Sequence, residues 1–216
     1  MRIRLREPVN GLTHLFGAIM SVIGLVFLVY YAAKTATAWH VVAFSIYGAS
    51  LILLYTASTL YHLLPLSEKG VKIFRRIDHM MIYVLIAGTY TPICLIPLRG
   101  IWGYSFLVSV WGVAVVGIIL KVLWFNAPRW LYTLNYVVMG AAIIFALKPL
   151  SQAIHINAII WMIAGGFFYI VGAAIYATKW PKIPLKHFSY HEIFHVFILL
   201  GSFSHFIIMY KYVMNV

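Results

Sequence analysis

Acidic residues are almost absent from this sequence: 4 of its 216 residues are Asp or Glu, and charged residues together make up 9%. A soluble globular protein needs a larger share of polar side chains to cover its surface. The chain is 64% hydrophobic, with a mean hydropathy of +0.96. This composition excludes an ordinary soluble domain and indicates an integral membrane protein.

The sequence also has little cysteine and little of the alternation of polar and apolar residues that is typical of β-barrel strands. The single cysteine, Cys94, lies in an apolar run, so the chain has no pair for an internal disulfide. The apolar runs are continuous over about 20 residues, the length that crosses a hydrocarbon core of ~30 Å. This pattern disfavours a β-barrel. It predicts one all-α membrane domain, residues 1–216, that starts with a short basic lead at residues 1–11 and keeps its first apolar run as a helix.

The apolar runs and the polar breaks between them predict a bundle of seven transmembrane helices. Pro65 is expected to end the second helix, and Pro92 and Pro97 are expected to make the far half of the third kinked or loop-like. The histidines at 40, 155 and 187 are expected in loops. The predicted segments are residues about 12–33, 41–63, 77–97, 102–124, 130–148, 157–178 and 189–213.

Basic residues are distributed unequally over the two sides of this arrangement. Four of the sixteen fall on one side, at Lys34, Arg99, Lys148 and Lys211. By the positive-inside rule, the N-terminus is therefore cytoplasmic and the C-terminus is outside. The net charge of +12 is attributed to topology and to contacts with anionic lipid headgroups, and no nucleic-acid partner is expected. The twelve cytoplasmic residues are Arg2, Arg4, Arg6, Lys69, Lys72, Arg75, Arg76, Lys121, Arg129, Lys179, Lys182 and Lys186.

Four ionisable residues are predicted to meet at one depth near the cytoplasmic face. His191 and His195 open the last segment at a spacing of i and i+4, which places both imidazoles on one helix face. The alternation of crossings brings His62, at the end of segment 2, and Asp78, at the start of segment 3, to the same level. Ionisable groups at membrane depth usually face the bundle interior and mark a functional site.

This set of residues has the chemistry of a catalytic zinc site, in which three imidazoles leave a fourth position open for water. Asp78 could complete the shell or accept a hydrogen bond from that water, and a water activated in this way is a nucleophile near neutral pH. Ser58 lies one turn from His62 and could orient a ligand or a substrate carbonyl.

Other interpretations remain open for these residues. Taken singly, the histidines could be interfacial side chains that reach headgroups, and Asp78 could be a charge favoured at a helix N-terminus. The run from His191 to His195 also fits H-E-x-x-H, in which Glu192 would be the general base of a metalloprotease.

Further histidines lie close to this set in the sequence. His79 points about 100° away from Asp78, so we expect it at the interface or in a supporting position. His205 lies ~15 Å beyond His195 and is not expected to be a ligand. His14 and Asn10 are candidates for packing or hydrogen bonding beside the site.

The motifs resemble those of the hemolysin III and progestin/adiponectin receptor family. The resemblance rests on Ser58-x-x-x-His62, on Asp78 at the start of segment 3 and on His191-x-x-x-His195. The short N-terminal lead is similar to that of the bacterial hemolysin III branch. Two further stretches resemble the family: Glu7-Pro8-Val9-Asn10 with His14, and Arg76-Ile77-Asp78-His79.

The resemblance implies a function as well as a fold. It implies a zinc ion held by His62, His191 and His195, with Asp78 reaching it through water and Ser58 assisting. The wider superfamily contains membrane ceramidases, so it also implies hydrolysis of a lipid amide or ester in the cell membrane of a bacterium. A receptor-like or cytolytic, pore-associated protein with structural zinc is the alternative.

The predicted topology can be tested at the C-terminus. A periplasmic-type reporter such as alkaline phosphatase, fused after Val216, should be active because seven crossings from a cytoplasmic start end outside. The same reporter fused after Leu123, where four crossings end inside, is the control and should be inactive. An active Leu123 fusion together with an inactive Val216 fusion would show that the orientation is the reverse of the predicted one.

Overall fold

The computed structural model describes residues 5–124, 127–183 and 189–216. Within these ranges the secondary structure is helical, as the composition predicts. A 3₁₀ turn at Ala142–Ala146 joins α5 and α6 into one rod, and a second, Val213–Asn215, follows α8. The helices are α1 Pro8–Thr35, α2 Ala38–Leu63, α3 Glu68–Leu95, α4 Ile101–Leu123, α5 Arg129–Ala141, α6 Leu147–Ala153, α7 Ile156–Thr178 and α8 Tyr190–Lys211.

Six helical segments in the described ranges are long and apolar enough to cross a membrane: α1, α2, α4, the α5–α6 rod, α7 and α8. Large apolar side chains on their outer faces are exposed, among them Leu123 at 77% and Val108 at 72%. Exposed apolar surface on this scale is stable against lipid and not against water. The chain is therefore an all-α, multi-pass membrane protein.

Helix α3 corresponds to the third predicted segment but does not belong to these six. It begins at Glu68, about nine residues earlier than expected, where the Ser67 hydroxyl accepts a hydrogen bond from the Gly70 amide at 3.3 Å. The structure confirms the membrane class and leaves the count of seven crossings as a prediction. The first three turns of α3 are polar because they contain Glu68, Lys69, Lys72, Arg75, Arg76 and Asp78.

Two local expectations of loops are wrong. The far half of α3 is not loop-like, because the helix continues through Pro92 to Leu95, and the kink that was the other expectation stays a prediction. A proline removes a single backbone donor, and neighbouring helices and side chains can compensate for this loss within a membrane bundle. His40 is not in a loop: it lies in the first turn of α2, buried, with Nε2 3.1 Å from the Val213 carbonyl. His155 caps α7 through its Nδ1, and His187 lies outside the described residues.

The packing order brings four helix ends together. Helix α1 packs against α2 and α8, α2 packs against α3, and α7 packs against α8. Contacts of Gly17 with Leu199 and of Gly24 with Phe206 show that α1 and α8 run in the same direction. The starts of α1, α3 and α8 and the end of α2 therefore lie at the same end of the bundle.

Two glycines of α4 test how tightly the turn between α3 and α4 packs. A methyl group on Gly103 would overlap the carbonyl oxygens of Cys94 and Leu98, whereas a methyl group on Gly112 would meet nothing within 4 Å. We expect Gly103→Ala to lower the free energy of unfolding by about 1–3 kcal/mol through overpacking. Gly112→Ala should be neutral or stabilising, since alanine is the better helix former. Thermal unfolding in detergent measures both, and equal effects would contradict the packing shown.

Candidate metal centre

Three histidines meet where the end of α2 approaches the start of α8. One nitrogen from each of His62, His191 and His195 lies within 4.8 Å of the others. The ring centroids are 5.1 Å apart for His62 and His191, 5.0 Å for His62 and His195, and 4.7 Å for His191 and His195. The structure thus brings together the three imidazoles that the sequence predicted, in a group that could hold a metal ion.

Helix ends explain why the histidines can meet. Pro65 follows the last turn of α2, so that helix ends soon after His62. Ser189 caps α8: its hydroxyl accepts a hydrogen bond from the His191 amide at 3.2 Å. His191 and His195 then occupy the first two turns of α8 on one face.

The orientation of the His62 ring is set by Glu7, the residue that caps α1. Its carboxylate Oε2 lies 2.6 Å from His62 Nδ1, and its backbone amide donates to the His62 carbonyl at 3.0 Å. A carboxylate can only accept, so Nδ1 must carry the proton and Nε2 keeps its lone pair in the neutral ring. The hydrogen bond from His62 lowers the pKa of Glu7 to about 2, so this carboxylate is ionised at neutral pH.

His195 is oriented in the same way by a backbone carbonyl. Its Nδ1 lies 3.2 Å from the Asn10 carbonyl oxygen, which is also an acceptor without a proton. In the described part of the chain, Nε2 of His195 and Nε2 of His62 are both buried without a hydrogen-bond partner. Buried polar atoms are usually satisfied, so two unpaired nitrogens near a common point fit a metal ion that would accept their lone pairs.

His14 covers one side of this group. Its ring stacks on His195 with a centroid separation of 3.5 Å and an interplanar angle of 9°. It also meets Tyr55 edge-on at 5.0 Å. The prediction that His14 and Asn10 pack or hydrogen-bond beside the site is confirmed, and the two residues show that α1 forms one wall of it.

Asp78 and Ser58 stand beside the histidine group without belonging to it. Both line a mostly apolar cavity of about 480 Å³ that also reaches His14, His191 and His195. The Asp78 carboxylate lies close to Ser58 and within electrostatic reach of His62. Among the described residues, the buried Ser58 Oγ has no hydrogen bond of normal geometry. Its hydroxyl thus lines the cavity beside the Asp78 carboxylate.

Glu192 is engaged at the start of α8. Its carboxylate Oε2 lies 2.6 Å from both the backbone amide and the hydroxyl of Ser189, and it is buried. Together with the bond from the His191 amide to Ser189, this is a capping box. The sequence signal for it, Ser189-x-x-Glu192 before an apolar run, explains Glu192 without a role in chemistry.

For His79 the structure decides between two expected positions, and for Glu7 it adds a contact that the sequence did not predict. His79 is buried at 7% exposure, its carbonyl accepts from the Tyr136 hydroxyl at 3.0 Å, and its ring lines the cavity beside Asp78. The supporting position expected for it is therefore the one observed, and the interfacial position is not. Glu7 was identified through a family motif alone. The sequence offers one further signal: the chain has 4 acidic residues and 9 histidines, so each carboxylate near the histidine group is a candidate partner for an imidazole.

A variant of Glu7 tests whether it tunes a metal site. We expect Glu7→Gln to weaken zinc affinity by about 10–100-fold, because a partner that orients a histidine ligand contributes on this scale. Glu68→Gln is the matched control, since it removes a carboxylate from an exposed position at the start of α3. Titration of the metal-free proteins with zinc measures both. Equal affinities for Glu7→Gln and wild type would show that Glu7 does not orient a ligand.

Comparison with known proteins identifies the family of the chain. The family model described as Haemolysin-III related matches residues 3–206. A Hemolysin-3 homolog of Bacillus subtilis (strain 168) is 41% identical over 210 residues, covering 97% of this chain and 95% of the relative. Hemolysin-3 of Bacillus cereus is 42% identical over 208 residues, covering 96% and 92%. The human Monocyte to macrophage differentiation factor is 22% identical over 207 residues, covering 94% and 82%. The chain belongs to the haemolysin-III related family of multi-pass membrane proteins, and the Bacillus relatives place it with the bacterial members.

Proposed function

We propose that the chain crosses the membrane seven times, with a cytoplasmic N-terminus, and that α3 is the seventh crossing. Its 28 residues span ~42 Å, more than a hydrocarbon core requires. The parallel direction of α1 and α8 supports this count, because two parallel spans at the ends of a chain require an odd number of crossings. In this orientation the histidine group lies at the cytoplasmic end.

We further propose that the metal is zinc. Imidazole nitrogens suit zinc, copper, iron and nickel, and a set of three imidazoles is typical of catalytic zinc. His62 and His195 would bind through Nε2, the atoms that the structure leaves without a hydrogen bond in the described ranges. His191 would supply the third nitrogen.

The function that the geometry supports best is zinc-dependent hydrolysis of a lipid amide or ester. The observation that carries it is the apolar cavity of about 480 Å³ onto which His191, His195, Asp78 and Ser58 all open. Cavities of this size and lining bind small apolar ligands with a few polar groups at one end. Here the polar groups lie where the scissile bond of a lipid would have to be.

The residues of the cavity can divide the work of hydrolysis. Zinc, when bound, would polarise a carbonyl and acidify water at the open position. The Asp78 carboxylate would accept the proton of the attacking water and return it to the leaving group. The Ser58 hydroxyl would donate to the substrate carbonyl, and the apolar walls along α3, α5 and α7 would hold the lipid chain and exclude bulk water.

A structural role for the metal is the second candidate. An ion bound by His62, His191 and His195 would join the end of α2 to the start of α8. The hydrogen bonds from His62 to Glu7 and from His195 to the Asn10 carbonyl would connect this clamp to the start of α1. A receptor-like or pore-associated protein could use such a clamp without catalysis. The protease alternative has less support, because the carboxylate that would have to be its base caps α8.

An Asp78 variant separates catalysis from structure. We expect Asp78→Asn to keep stoichiometric zinc and the fold while lowering lipid amide or ester hydrolysis by about 10²–10⁴-fold, the usual contribution of a positioned acid–base group. Purified protein is assayed with N-acyl sphingoid and acyl ester substrates, with Glu68→Gln as control. Zinc in wild type without hydrolysis of either class would favour the structural clamp, and absence of zinc would contradict the site.

A further inference from the structure

A group of cations lies at the same end of the bundle as the histidines, on the side where α3, α4 and α5 meet. Lys121, Arg75 and Arg129 all lie within electrostatic reach of the buried His79 ring. Lys121 is itself buried at 4% exposure, an unusual state for a lysine. Asp78 is the carboxylate within reach of Arg75. Three cations beside one carboxylate leave an excess of positive charge in a poorly hydrated place.

Tyrosine rings hold the two cations that come from α4 and α5. The Lys121 ammonium lies 3.3 Å from the centroid of the Tyr132 ring, and the Arg129 guanidinium lies 4.8 Å from that of Tyr176. These cation–π contacts hold both positive groups over the faces of aromatic rings.

Two nitrogens of this region lack a hydrogen-bond partner. Nδ1 of His79 and Nη1 of Arg129 are buried and have no partner within the described ranges. The Tyr176 hydroxyl lies 3.4 Å from the other ring nitrogen of His79. Among the described residues, no side chain caps helix α5, which begins at Arg129, and its first turn contains no acidic residue. The positive end of the helix dipole adds to the preference for an anion.

The surroundings place these cations at the level of lipid headgroups. Trp124 ends α4 and Trp130 opens α5, and their side chains are 53% and 62% exposed. Exposed tryptophans at helix ends are typical of the boundary between headgroups and hydrocarbon. Leu123, at 77% exposure, offers the apolar surface along which acyl chains would lie.

We propose that Arg75, Lys121 and Arg129, with His79, form a binding site for the phosphate group of an anionic phospholipid. Basic pockets between transmembrane helices are known to bind such headgroups. The cations are distinct from the metal ligands: the Tyr176 ring centroid is 6.4 Å from that of His79 and 5.8 Å from that of His191, and His79 is the member of the site that also lines the cavity beside Asp78. Occupation of the site does not depend on hydrolysis or on zinc.

Lipid binding by purified protein tests this site. Native mass spectrometry in detergent compares phosphatidylglycerol with zwitterionic phosphatidylcholine, for wild type and for Lys121→Gln/Arg129→Gln. We expect wild type to prefer phosphatidylglycerol and the double variant to lose roughly fivefold in affinity for each cation removed, thus about thirtyfold. The control is Lys69→Gln/Lys72→Gln, which removes the same charge from exposed positions at the start of α3 and should bind as wild type does.

Three results would overturn the proposal. They are equal binding of the two lipids by wild type, an equal loss of lipid affinity in the control variant, and binding of inorganic phosphate alone as strong as that of phosphatidylglycerol. The last result would indicate a site for a free anion. If the double variant does not fold, Arg129→Gln should still weaken binding about fivefold and Lys121→Arg should retain it. Zinc content is measured in every variant, and its retention separates failure of this site from failure of the metal centre.

Discussion

Two hydrogen bonds, from His62 to Glu7 and from His195 to the Asn10 carbonyl, determine which ring nitrogens of these histidines can bind a metal. Glu7 and the Asn10 carbonyl are acceptors without protons, so they hold the protons of His62 and His195 on Nδ1. With the other tautomers, N–H groups would point into the site and repel a cation. Helix α1 thus supplies none of the three ligand nitrogens and still determines that the nitrogens are free to bind. The parallel packing of α1 on α8 keeps these acceptors in place.

This constraint has a cost that the rest of the bundle offsets. Imidazoles and a carboxylate removed from water are unfavourable unless they are paired or bind an ion. The chain limits the cost by placing the group at helix ends, where capping residues and carbonyls are available, and by stacking His14 on His195. The remaining helix surfaces pack through apolar side chains and small residues, such as Gly17 against Tyr55 and Leu199.

The membrane class and most helix positions could be predicted from the sequence, because apolar length and helical spacing are local properties. The meeting of His62 with His191 and His195 could be predicted from the alternation of crossings, which brings the end of segment 2 and the start of segment 7 to one level. The role of Glu7 could not, since its partner is 55 residues away and no local pattern reports that contact. His40 was assigned to a loop because it is polar at a segment edge, whereas in the fold it bonds to the Val213 carbonyl at the far end of the chain. The length of α3 was underestimated for a related reason: its polar first turns look like a loop when their helical neighbours are unknown.

Those polar turns give α3 two distinct faces. Asp78 and His79 are about 100° apart around the helix axis, so one is directed to the histidine group and the other to the cations of α4 and α5. Arg75 lies within electrostatic reach of both residues, one turn earlier. A rotation or shift of α3 would therefore alter the environment of Asp78 and of the cation group together. Arg75, Asp78 and His79 thus contribute to the low hydropathy that separates α3 from the six apolar spans, together with the exposed residues of its first turns.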